Sequence, residues 1–169
     1  REIVPTRITR MTVPEWAEQK RVLPKGLSPY PGPFDWNMTP YLREIADSLS
    51  ETSPARKLAV MKGAQLGFTV GIGENWIGYV IDAAPGPMLY ISGDADMAQQ
   101  SGGRRVDAMI QHANLSHKIF AQGTSKRSRK SGDTASEKQF PGGFLRMVGP
   151  KSGSKLRSDS IQYIYGDEG

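Results

Sequence analysis

A chain of 169 residues with 37% apolar and 23% charged residues has the size and composition of one globular domain with a continuous core; two independent domains would be a squeeze. The absence of cysteine removes disulfides, thiolate metal sites and thiol nucleophiles together, and two histidines, His112 and His117, are too few for a histidine-rich metal site. A net charge of +5 favours an anionic partner without naming one, since many basic domains bind nothing acidic.

Residues 1–39 read as irregular, with a short helical piece at VPEWAEQKR followed by the proline-rich LPKGLSPYPGPFDW. Proline fixes its own φ and restricts the residue before it, so this run should wrap over a surface as an extended strap. A helix is predicted over 40–49, with Thr39 as its cap, Pro40 in its first turn and an apolar face of Leu42, Ile45, Ala46 and Leu49. KLAVM (57–61) has the character of a buried strand; it runs into KGAQLGFT and then into a helix over about 69–82. The longest apolar run, 76–81, is too short to cross a bilayer, and no charged-then-apolar signal segment precedes it, so the expectation is a soluble, intracellular protein.

MLYIS (88–92) is a second buried strand, and a helix beginning at Asp94 or Asp96 should reach about His112, with both histidines on a solvated helix end. Apolar strands alternating with helices predict a parallel sheet covered on both faces. Residues 123–138, GTSKRSRKSGDTASEK, turn polar and basic and read as a loop. Two short strands, 138–141 and 144–148, should form a hairpin through Pro141-Gly142-Gly143. The glycine-serine stretch GPKSGSKLRSDS leads into IQYIYGDE, where Ile161, Tyr163 and Tyr165 alternate with Gln162 and Ile164 as in a strand. The sequence starts at an arginine and stops directly after that strand, which suggests a piece of a longer protein.

The chemistry concentrates at VMKGAQLGFT. A loop between a strand and a helix can aim consecutive backbone N–H groups at an anion, helped by the partial positive charge of the helix N-terminus. Gly63, Ala64 and Gly67 are small enough for close approach, and Thr69 stands where a hydroxyl would ligate magnesium. Yet the lysine is displaced: Lys62 opens the loop, and Phe68 occupies the place next to the threonine where a lysine is usual. A long flexible side chain at the first position could reach the β- and γ-phosphates from the other side. The loop alone is equally compatible with a plain turn whose threonine caps the helix. A second signal comes from Asp167 and Glu168, adjacent at the C-terminal end of a strand. A nucleotide hydrolase needs one carboxylate for the metal's water shell and another to orient or deprotonate the attacking water, at the sheet edge where such ligands bind.

At this point the chain resembles the N-terminal ATPase region of the large terminase subunit of lambda-type tailed phages, the motor that packages DNA into preformed capsids. PEWAEQKRVLPK, PYLREIADSL, VMKGAQLGFT, NWIGYVI, SGDADMA and GPKSGSKLRSDSIQYIYGDE carry the resemblance in order over nearly the whole chain. That family is similar in placing its lysine first in the loop. The resemblance implies an α/β P-loop NTPase fold of the additional-strand, catalytic-glutamate type, with a mainly parallel sheet flanked by helices and a β-hairpin insertion. It implies a strap over 1–39, an ATPase core over 40–169 cut just after the acidic strand, and a C-terminal nuclease domain outside this sequence. It implies ATP and Mg2+ as cofactors. Lys62, Gly63, Ala64, Gln65, Leu66, Gly67, Phe68 and Thr69 would bind the triphosphate, Thr69 and Asp167 would hold magnesium through water, and Glu168 would activate water with Lys62 assisting. Some relatives carry arginine where this chain has Gln65, so an arginine acting on the γ-phosphate would come from Arg157 or a neighbouring subunit. The implied partners are double-stranded DNA, the portal protein, the small terminase subunit and further copies in a ring, at the procapsid portal in the host cytoplasm, with no membrane.

Other residues admit two readings. Tyr30, Trp36 and Pro40 lie where such ATPases often contact the adenine, although an aromatic on a proline-rich strap more often serves simple packing. Lys126, Arg127, Arg129 and Lys130 suit DNA phosphates, a partner subunit or bare solvent, whereas Trp16 and Trp76 read as core. The competing functions are a helicase-like DNA-dependent ATPase, against which Phe68 argues, and a basic DNA-binding or scaffold module without catalysis.

Overall fold

Thr12 opens the first helix, α1 (Val13–Lys20), through a reciprocal cap in which its hydroxyl accepts from the Glu15 N–H at 3.3 Å and its own N–H donates to the Glu15 carboxylate at 3.0 Å. The structure is a computed structural model and describes residues 11–63, 66–93, 103–120, 137–149 and 160–167. The proline-rich strap is more ordered than its composition predicts. Strands β1 (Val22–Leu23) and β2 (Gly32–Pro33) pair antiparallel, and a 3-10 turn at Trp36–Met38 starts where the Asp35 carboxylate accepts from the Asn37 N–H at 2.9 Å. Helix α2 (Pro40–Asp47) begins at the expected proline and buries Leu42 and Ala46, but the Thr39 side chain makes no capping hydrogen bond.

The predicted strand at 57–61 does not form. Those residues are unpaired; Leu58 is 41% exposed and Met61 fully so. An apolar run becomes a strand only by pairing with another strand, and no described residue pairs with this one.

After the glycine loop the chain forms a π-helical turn, Thr69–Glu74, continued by α3 (Asn75–Asp82). Residues 71–81 are buried without a break, the mark of a helix enclosed on every side. Gly78 lets α1 come close: a Cβ there would lie 2.1 Å from the Trp16 ring. The Trp16 Nε1–H donates to Asp82 at 2.9 Å, and the Lys118 ammonium pairs with the same carboxylate, so three separated segments meet at one side chain. Burial pushes the Asp82 carboxyl up, but the hydrogen bonds from Lys118 and Trp16 outweigh it and hold the group below its ordinary value. A carboxyl depressed on folding stabilises above its unfolded pKa and loses that contribution as pH falls through the lower folded value. Urea unfolding followed down through the carboxylate range is therefore expected to show an acid-side loss that Asp82→Asn reduces; an identical acid limb in the variant would remove this group from the acid response.

The main sheet runs β4-β5-β3-β6, built from β3 (Pro87–Ser92), β4 (Glu137–Phe140), β5 (Gly143–Val148) and β6 (Tyr163–Asp167). β3 pairs parallel with both β5 and β6, whereas β4 and β5 form the antiparallel hairpin within a residue of its predicted limits. The fold is thus α/β, with a mixed, mostly parallel sheet flanked by helices. Helix α4 (Gly103–His112) ends where expected; its predicted start at Asp94 or Asp96 lies outside the described residues. His112 and His117 are exposed, and Trp16 and Trp76 are core. One apolar cluster joins Val13, Trp16 and Trp36 to α3 and the sheet, so the N-terminal segment shares its core with the rest of the fold. No helix among the described residues is long and apolar enough to cross a membrane.

Candidate active site

The loop entering the π turn is shaped by Gly67, whose φ of +73° is a left-handed conformation that a side chain would strain. It is tied to α2 by Tyr41, whose hydroxyl donates to the Leu66 carbonyl at 2.9 Å. Gly63, Leu66 and Gly67 are exposed, while Phe68 and Thr69 are half-buried at the start of the helical run. Ala64 and Gln65 lie outside the described residues.

Asp167 closes β6 opposite Ser92 of β3, and the Gly93 N–H donates to its carbonyl at 3.1 Å. Both strands end together, at the edge where parallel sheets bind ligands. The Thr69 hydroxyl donates to Asp167 Oδ2 at 3.1 Å, although the two residues are 98 positions apart. The Tyr165 hydroxyl donates to the same oxygen at 3.2 Å. Lys62 Nζ stands 3.4 Å from Oδ1, an ion-pair distance that does not meet hydrogen-bond geometry, and Oδ1 is buried without a hydrogen-bond partner. The ammonium also sits 5.6 Å from the centroid of the Phe68 ring, within cation–π range. Phe68, next to Thr69 in sequence, thus offers its ring face to the Lys62 ammonium. Burial first, then the charge of Asp167, pushes the Tyr165 phenol far up, so it remains a donor at any ordinary pH.

Among the described residues no group of three or more His, Cys, Asp or Glu side chains stands together. One carboxylate with a buried oxygen that accepts no hydrogen bond and one hydroxyl fit Mg2+, which keeps several waters and is shared with substrate phosphates rather than caged by protein. Glu168, adjacent in sequence to Asp167, lies outside the described residues, as do Arg157 and the basic run Lys126, Arg127, Arg129 and Lys130. Trp36 is packing: it is 3% exposed, donates through Nε1 to the Pro14 carbonyl at 3.1 Å and meets Phe34 edge-on at 4.7 Å. Tyr30 is exposed.

Sequence reasoning missed a buried charge cluster behind the loop. Glu74, the last residue of the π turn, stands 3.6 Å from Arg21 Nη2 and 3.7 Å from Arg105 Nε. Burial pushes the Glu74 carboxyl up and the Arg21 guanidinium down, against their mutual attraction. The cavity beside them, about 20 Å3, has room for a water molecule. No local pattern announces such a triad, because its members come from α4, the π turn and the end of α1. Tyr165 was legible in principle: a strand alternates with period two, and Tyr163, Tyr165 and Asp167 occupy every second position.

A model of the family described as phage terminase large subunit gpA, ATPase domain, matches residues 28–169. Neither a comparison with curated proteins nor one with solved structures returned a match.

Proposed function

This chain belongs to the phage terminase large subunit gpA ATPase-domain family, and on that premise we propose that it hydrolyses ATP to drive double-stranded DNA into a procapsid. The observation that carries the reading is the convergence of Lys62 and Thr69 on the two oxygens of Asp167, across the C-terminal edge of the sheet. In this reading the backbone of residues 62–69 cradles the triphosphate, with Gly67 turning the chain into the helix. Thr69 and Asp167 are the residues that would hold magnesium, whose charge would offset that on the phosphate oxygens. Glu168 accepts the proton of the attacking water. Lys62, held over a ring face and only loosely paired, moves its charge to the γ-phosphate without breaking a tight hydrogen bond. An arginine on the γ-phosphate comes from Arg157 or a neighbouring subunit.

In the working motor the partners are double-stranded DNA, the portal protein, the small terminase subunit and further copies of the chain in a ring, at the portal vertex in the host cytoplasm. Residues 40–169 are the ATPase core in this scheme.

Lys62→Ala tests the site. Removing a charge-assisted contact costs about 1.5–3 kcal/mol, so nucleotide affinity, turnover or both should fall by roughly 10- to 100-fold. Phosphate release and binding of a fluorescent ATP analogue measure the two separately, and unchanged values would end the displaced-lysine reading. For the wild type, Mg-ATP at 100 times its Kd should raise the melting temperature by roughly 5–10 °C. No shift would favour the non-catalytic basic module.

A further inference from the structure

We propose that Tyr165 is a positioning residue for the Asp167 carboxylate and, through it, for the magnesium ion of the nucleotide; this rests on the reading of the site given above. The phenol is fixed from several sides. Its ring stacks on Tyr90 with centroids 5.1 Å apart and planes 12° apart, and it meets Trp76 edge-on at 6.3 Å. Gly73 in the π turn presses against it: a Cβ there would come within 2.7 Å of the hydroxyl and 2.8 Å of the ring. Tyr165 is only 7% exposed, so its hydroxyl has little freedom to leave Asp167.

The consequence falls on the carboxylate. Oδ2 accepts from Thr69 and from Tyr165 together, whereas Oδ1 is left toward Lys62 with no hydrogen bond. The terminal torsion of an aspartate is soft, and a single donor does not fix it. Two donors on one oxygen do, and they turn the other oxygen toward the loop. Thr69 belongs to the phosphate-loop side and is itself needed at the metal. Tyr165 belongs to β6 and can hold Asp167 without taking part in binding. Such outer partners orient a ligand, and replacing them typically costs 10- to 100-fold in metal affinity.

The test measures binding rather than turnover. The affinity of a fluorescent non-hydrolysable ATP analogue is titrated with Mg2+, and separately in excess chelator, for the wild type, Tyr165→Phe and Tyr90→Phe. Tyr165→Phe keeps the ring and should bind the analogue as the wild type does in chelator, while its half-saturating Mg2+ rises roughly 10- to 100-fold. Tyr90→Phe, which removes a phenol from the same stack, should match the wild type in both conditions. An unchanged Mg2+ requirement in Tyr165→Phe overturns the proposal. So does an equal loss of affinity with and without Mg2+, which marks general packing. If the wild type itself shows no Mg2+-dependent gain, the nucleotide-site reading fails, and the role of Tyr165 with it.

Discussion

Glu168→Gln is expected to leave nucleotide binding intact and to lower hydrolysis by roughly 10²- to 10⁴-fold, the usual contribution of a positioned proton acceptor. The amide keeps the size and polarity of the acid but cannot take a proton from water. Its neighbour in sequence, Asp167, ends β6 and is held by Thr69, Tyr165 and Lys62; under the proposed function that acid serves the metal and proton transfer falls to Glu168. Single-turnover phosphate release, set beside analogue binding, separates the chemical step from affinity. Normal turnover would move the base elsewhere; loss of binding along with turnover would make the residue a ligand.

Trp16→Ala is expected to cost about 3–5 kcal/mol, the range for truncating a fully buried tryptophan. Trp16 has no exposed surface, fills the space that Gly78 leaves on α3 and donates to Asp82. Against a total stability of about 5–15 kcal/mol for a domain, one such change removes a large share. A fall in melting temperature of roughly 6–20 °C would follow in a chain of this size, read by calorimetry or circular dichroism. A cost below about 1 kcal/mol would return the N-terminal segment to the status of a detachable strap. The variant also reaches the site, because α3 continues the π turn that begins at Thr69.

Local signals announced most of the elements, and the failures share a cause. The 69–82 helix, the 88–92 strand, the hairpin and the final strand all followed from periodicity and turn chemistry. The stretch at 57–61 has the composition of a buried strand yet lies exposed, since composition reports what residues do once covered and not whether a neighbour covers them. Thr39 looked like a cap by type, but capping depends on backbone angles, and its φ of −140° and ψ of 64° accompany no side-chain cap. The site divides the same way. The meeting of Lys62, Thr69 and Asp167 was legible, because a phosphate-loop reading of the sequence brings those residue types together. The Glu74, Arg21 and Arg105 cluster and the hold of Tyr41 on Leu66 were not, because each joins segments whose meeting only the fold decides.

The unbroken burial of residues 71–81 makes this stretch a poor substrate for neutral drift. An ordinary amphipathic helix offers a wet side where substitutions accumulate harmlessly, and this one has none. A saturation library should therefore lose nearly every variant there, whatever its effect on nucleotide chemistry, and such losses would map the keel of the protein rather than its engine.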